Sequence, residues 1–208
     1  MNKACFFDLD GTLIPNPSSE SRLLVTLFKK FCFSPSGLVI WFLESLFRYR
    51  NFKNSKAYYQ GIKLRPLQIV IQRKLKSFEN FLSKKALEYL QEKRKEEFQL
   101  FLITGTPHFI AEAINSILNF NGVFSSNLEV RHGKLTGRII STIPYGKNKA
   151  KIVRKLAEEQ NIDLKESISF GDSYNDLHFL KMTGTCYAVN PDARLKRFIP
   201  PENILTWD

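Results

Sequence analysis

Apolar and aromatic residues gather in four short runs: KACFFD at 3–8, FQLFLIT at 98–104, SISFGD at 167–172 and TCYAV at 185–189. Each has the length of a buried strand, and the first three give way to polar or glycine residues that predict loops. Between the later runs the apolar spacing changes to three and four. Residues 107–118 open with a proline suited to a first helical turn, and NKAKIVRKLAEEQ at 148–160 keeps one apolar face. Strands alternating with helices predict an α/β fold, its parallel sheet covered on both faces. Residues 123–143, with GVF, LEV and GRII around HGKLTG, predict a small hairpin attached to that sheet.

About eighty residues separate the first run from the second without strand-like alternation, far more than a crossover needs. Their spacing predicts helices over 20–32, 38–49, 66–76 and 79–95, broken by SPSG at 34–37 and by the stretch near 51–65. The predicted division is a core domain of residues 1–15 and 97–208, with a helical cap domain of 16–96 inserted into it. LLVTLF at 23–28 and GLVIWFL at 37–43 concentrate apolar residues in this insert. A spanning helix needs roughly 20 uninterrupted apolar residues. Lys29, Lys30, the break at Pro35–Gly37 and Glu44 interrupt the stretch, so burial within the cap or contact with a membrane surface is expected instead.

Charge sharpens this division. The 208 residues carry a formal net charge of +11. Residues 21–99 hold 17 basic and 6 acidic side chains, while the rest hold 14 of each, so the whole surplus sits in the insert. Cys5, Cys32 and Cys186 form no CxxC pair, which argues against a disulfide framework or a zinc site and for a reducing compartment. The amino terminus lacks the basic start and cleavage site of a signal peptide. A cytoplasmic protein is expected, with peripheral contact at the inner membrane surface as the variant that the basic, Phe-rich cap suggests.

In FDLDGTL, Asp8 and Asp10 lie two residues apart, so an extended chain would turn both carboxylates to one side before Gly11 lets the backbone bend. Open α/β sheets bind ligands at the carboxyl ends of their strands. There the second run ends in Thr104 and Gly105, the third in Gly171 and Asp172 followed by Asn175 and Asp176, and Lys149 begins the helix between them. Carboxylates for a hard cation beside a lysine, a hydroxyl and turn amides for an anion imply Mg2+ bridging to a phosphoryl group.

With those four elements in order, FDLDGTL, ITGT at 103–106, Lys149 and GDSYND at 171–176, the chain resembles the haloacid dehalogenase superfamily. The resemblance implies a Rossmann-like parallel-sheet core with an inserted all-helical type-1 cap. KAKIVRKLAEEQNIDLKESISFGDSYND at 149–176 is similar to the phosphoserine-phosphatase-like branch, subfamily IB. It implies that Asp8 is the nucleophile, forming an aspartyl-phosphate, and that Asp10 protonates the leaving alkoxide and then activates water. It further implies Mg2+ held by Asp8, the backbone carbonyl of Asp10 and Asp172, with Asp176 ligating through water or orienting Lys149. Thr104, Gly11, Gly105, Asn175 and Lys149 would bind the phosphate, Lys147 being the alternative lysine. His108, His132 and His178 have no ligand spacing between them and read as surface or turn residues, with His108, just past Thr104, alternatively bordering the substrate.

The expected reaction is phosphomonoester hydrolysis. Phosphoserine phosphatases carry a glutamate nine residues beyond the nucleophile, where this chain has Pro17, and Glu20 could substitute from the next turn. That departure argues against phosphoserine specificity. A phosphatidylglycerophosphate phosphatase subgroup looks similar in its FFDLDGTL opening, Phe- and Leu-rich insert and LITG-x-P motif, leaving a lipid-like phosphate as the second substrate class. A basic cap on an inactive core is the non-enzymatic alternative; no nucleic-acid motif accompanies it, and nucleic acid is not expected as a partner.

Overall fold

The computed structural model describes residues 1–29, 37, 39, 42 and 56–207. Most of the helix expected over 38–49, and Cys32, lie outside the described residues. Six parallel strands form one sheet in the order β3-β2-β1-β6-β7-β8. These are β1 (Ala4–Phe7), β2 (Gln99–Pro107), β3 (Gly122–Ser126), β6 (Ile168–Gly171), β7 (Thr185–Val189) and β8 (Ile204–Leu205). β4 (Leu128–Arg131) and β5 (Lys134–Ile139) pair as an antiparallel hairpin.

The period of two within β1 sorts its residues between two cores. Cys5 and Phe7 join Leu100, Leu102 and Phe170 on one face, while Ala4 and Phe6 join Phe101 and Ile103 on the other. Because β1 is central and buried on both faces, it reads as a continuous apolar run without alternation. Helices then cover both faces. α4 (His108–Leu118) presents Ile110, Ala111 and Ile114 to the first core, and α5 (Lys147–Gln160) and α6 (Leu177–Leu180) present Val153, Leu156, Phe179 and Leu180 to the second. Both longer helices end on an asparagine in the left-handed conformation, Asn119 and Asn161, which returns the chain toward the next strand.

The insert supplies α1 (Ser19–Lys29), α2 (Leu64–Glu79) and α3 (Lys84–Lys95). α3 starts at Ser83, whose side chain accepts from the Ala86 N–H. Assigned to the cap by its sequence position, α3 lies against the sheet: the Tyr89 ring meets those of Phe170 and Trp207 at 5.0 and 6.1 Å. Within the insert a 3-10 helix at Ala57–Tyr59 runs into a turn in which Gly61 has φ +83°. The Gly61 N–H donates to Leu135 and the Leu135 N–H to Ile62, each at 2.9 Å, tying the insert to β5. One expectation is corrected: GVF at 122–124 belongs to the edge strand of the main sheet, paired with β2, and the hairpin begins only at Leu128. Among the described residues, no helix is long and apolar enough to cross a membrane.

Candidate active site

The parallel register aligns the ends of the central strands. Phe7 faces Leu102 on one side and Phe170 on the other, so the residues that follow each strand emerge together. Asp8 continues β1, Thr104 to Thr106 lie in the last part of β2, and Asp172 follows β6. Lys149 comes from the first turn of α5. A cavity of about 250 Å3 is lined by Asp8, Asp10, Thr104, Gly105, Lys149, Asp172, Asn175 and Asp176. Of the phosphate-binding candidates, Gly11 and the alternative lysine Lys147 are not in the lining. The place of Gly11 is explained by packing: at φ +91°, a Cβ on Gly11 would fall 2.1 Å from Asp172 Oδ2.

Lys149 is buried, and its ammonium donates to Asp8 Oδ1 and Asp176 Oδ1, both at 2.6 Å. Lys147, two residues away on the same helix, is exposed, so geometry favours Lys149 for the anion-facing position. Carboxylate oxygens of Asp8, Asp172 and Asp176 lie within 4.8 Å of one another. An all-oxygen set of that size fits a divalent cation such as Mg2+. Burial pushes the Asp8 carboxyl above the usual carboxylate range, with Lys149 opposing and Asp176 adding to the rise. Burial does the same to Asp172, reinforced by Asp8 and Asp176. For Lys149 burial works against the charge, yet Asp176 and Asp8 outweigh it and hold the ammonium protonated. One ammonium thus faces more carboxylate charge than it can neutralise.

Asp176 is fixed from its other side, where Oδ2 accepts from the N–H groups of Asp172 and Ser173 at 3.3 and 3.2 Å. Gly171 permits this packing, since a Cβ there would meet Asp176 Cβ at 2.7 Å.

Asp10 uses its side chain differently. Oδ2 accepts from Thr106 Oγ1 and Oδ1 from the Ser19 N–H, both at 2.6 Å. Its side chain stands outside the three-carboxylate group, which leaves only its backbone carbonyl for the metal contact the resemblance implies. Burial raises its pKa, opposed by the Thr106 and Ser19 bonds. A carboxyl that is raised yet anchored suits a group that both gives and takes a proton.

Some contributors were not among the expected site residues. Lys56 is buried and, with Glu20, lines the cavity. Lys56 Nζ is bonded to Glu20 Oε2, and the Tyr58 hydroxyl donates to Glu20 Oε1 at 2.6 Å. Tyr145, Pro144 and Ser173 complete the lining together with Thr106. Thr106 could have been found beside Thr104, whereas Lys56 has no spacing to mark it. His108, for which a place bordering the substrate was the alternative, bonds Ser125 Oγ at 2.8 Å and lines a separate cavity between α2 and α4.

The parallel sheet thus gathers three carboxylates and one lysine at its strand ends, around a single cavity. The chain belongs to the haloacid dehalogenase-like hydrolase family, whose model matches residues 5–181. Over 98 residues it is 41% identical to phosphoserine phosphatase SerB1 of Mycobacterium tuberculosis, a match covering 47% of this chain and 32% of that protein. It therefore spans about a third of that relative. An inhibition of morphological differentiation protein from Streptomyces azureus is 24% identical over 210 residues, covering 93% of this chain and 74% of the relative. Among solved structures, a HAD family hydrolase from Salmonella enterica aligns with a TM-score of 0.72 at 20% identity, covering 98% of this chain and 68% of that one. A phospho-aspartyl intermediate analogue of phosphoserine phosphatase aligns at 0.66 and 21% identity, over 94% and 90% of the two chains. These likenesses establish the shared fold.

Proposed function

We propose that the protein is a phosphatase that hydrolyses a phosphomonoester through an aspartyl-phosphate on Asp8. The observation that carries this reading is the buried Asp8 carboxylate, bonded to Lys149 and within reach of Asp172 and Asp176 at one cavity. Asp8, Asp172 and Asp176, with the Asp10 carbonyl, would hold Mg2+. When bound, the ion supplies positive charge that offsets repulsion between carboxylate and phosphate. Asp8 attacks phosphorus and the ester oxygen leaves; Asp10 delivers the proton that the leaving alkoxide requires and takes one from the water that cleaves the acyl phosphate. Lys149, Thr104 and the Gly105 N–H bind the nonbridging oxygens, and Asn175 stands at the same wall.

Several curated relatives bear the name phosphoserine phosphatase. Glu20 reaches this cavity, but both of its oxygens are already engaged, by Lys56 and Tyr58. A wall neutralised in this way supports an ester other than phosphoserine as the preferred substrate. The cationic, partly apolar insert keeps a lipid-like phosphate, of the phosphatidylglycerophosphate kind, as the second class. Turnover of p-nitrophenyl phosphate with Mg2+, abolished in Asp8→Asn, tests the reaction. A catalytically silent protein with every divalent metal would instead favour a basic-cap binding protein. A panel of phosphate esters that includes phosphoserine and glycerophospholipid phosphates tests the preference, and selective turnover of phosphoserine would refute it.

A further inference from the structure

The outer side of the insert carries features that the reaction does not use. On α1, Val25 and Phe28 are 56% and 69% exposed and lie three residues apart, hence on one helix face. Val39 and Phe42 repeat that spacing and are likewise exposed. Beside Val25 a cavity of about 290 Å3 opens between α1 and α2, lined mainly by Leu23, Val25, Phe78 and Phe81 and, as its charged members, Arg22 and Lys74. The Arg22 guanidinium stacks 3.8 Å from the Phe81 ring centroid, so its charge sits directly over apolar surface. Lys29 closes α1 and is exposed, as are Arg73 and Lys76 on α2.

Large solvent-exposed apolar side chains on a strongly cationic surface are costly unless something covers them. The charge identifies the cover as anionic: the chain's entire surplus lies in residues 21–99, while the core is balanced. The apolar groups decide which anion. A nucleic acid gains from stacking platforms along a basic groove; exposed Phe28 and Phe42 can act as such, but the aliphatic Val25 and Val39 exposed with them cannot. They gain only by transfer into hydrocarbon. The location fits an interface as well. Ser21 and Arg22 line this groove, and Glu20, one residue earlier in the same turn of α1, lines the catalytic cavity.

We propose that the α1–α2 face of the insert docks on anionic lipid bilayers. Val25 and the adjoining slot enter the acyl region, while Arg22, Lys29 and Lys74 meet lipid phosphates. Docking is separate from the chemistry, so it can be tested whether or not the protein turns over any ester.

The probe is co-sedimentation with vesicles of phosphatidylcholine mixed with phosphatidylglycerol, against vesicles of phosphatidylcholine alone. The protein is expected to pellet with the mixed vesicles at low salt and to be released at high salt, where charge is screened. Each cation lost near the surface weakens partitioning about fivefold. Lys74→Glu should therefore cost at least that factor, and Val25→Asp a comparable one by removing apolar insertion. Both positions are exposed, so circular dichroism and p-nitrophenyl phosphate turnover should match the parent protein. Failure to pellet at low salt, or pelleting that neither variant weakens, overturns the proposal. Retention of a single-stranded oligonucleotide that Lys74→Glu weakens and Val25→Asp spares, with no pelleting on vesicles, overturns it in favour of nucleic acid.

Discussion

Asp10 has two oxygens and two donors, Thr106 and the Ser19 N–H, so its orientation is set before substrate arrives. If it carries the leaving-group proton, Asp10→Asn should slow turnover of alkyl phosphates by a factor of about 100 or more while affecting p-nitrophenyl phosphate far less. Steady-state rates on the two esters check this, and equal losses would remove Asp10 from the proton path. A second residue acts through the loop that carries Asp172. Asp192 Oδ2 accepts from the Tyr174 N–H at 2.9 Å, Oδ1 accepts from Arg194 and Leu195, and the Asp192 N–H donates to the Asp172 carbonyl at 2.9 Å. Burial opposes its charge, but the N–H donors of Leu195, Tyr174 and Arg194 outweigh burial and hold its carboxyl below the usual range. Such a carboxylate stabilises the fold at pH values above its unfolded pKa, and the contribution disappears as pH falls through the folded one. Asp192→Ala should thus lower the urea midpoint at neutral pH, with a gap that closes under acid conditions. It should also raise the Mg2+ concentration needed for half-maximal rate, which Asp192→Asn, keeping an acceptor, should partly restore. Asp8, Asp10, Thr104, Lys149, Asp172 and Asp176 were legible because each lies in a short motif at a strand end or helix start. Lys56 and Asp192 were not, since their partners Glu20 and Tyr174 are joined to them only by the fold.

At the scale of elements, strand type followed from burial. β1 lies between neighbours and reads as an unbroken apolar run, whereas the edge strand β3, GVFSS, is short and half-exposed and so resembled a hairpin arm. The end of β1 imposes the tightest local requirement. Gly11 combines a positive φ with an approach to Asp172 that excludes any Cβ. Gly11→Ala should therefore destabilise the protein by about 1–3 kcal/mol and displace Asp172, so that Mg2+-dependent activity falls more than stability alone explains. Urea unfolding and a Mg2+ titration on the same sample separate the two effects. The position of α3 was not legible for a related reason: it directly follows the cap helices in sequence, yet Tyr89 packs edge-to-face on Phe170 of the sheet. Tyr89→Ala should cost roughly 1–3 kcal/mol, less than truncating a fully buried aromatic because Tyr89 is half-buried, with little change in the Mg2+ requirement.

For the whole molecule, the active site is a liability that the fold tolerates. Three carboxylates gather beside one lysine that bonds two of them, Asp8 and Asp176, and burial drives Asp8 and Asp172 toward their protonated forms. A carboxyl whose folded pKa is raised favours the unfolded chain once pH exceeds its unfolded value, and the penalty grows until pH passes the folded one. Without a divalent cation, then, stability should decline from mildly acidic toward neutral pH, the opposite of the trend that Asp192 contributes. A bound cation that does not bind the unfolded chain reverses the decline, adding about 2.7 kcal/mol at a hundredfold excess over its dissociation constant. Asp172→Asn removes one crowded negative charge and a ligand together. Thermal unfolding at neutral pH should show this variant melting above the parent protein in a chelator, and failing to gain the parent's increment when Mg2+ is added. If the variant instead melts lower in chelator, the carboxylates are stabilised by partners other than a metal, and the site is structural where it has been read as catalytic.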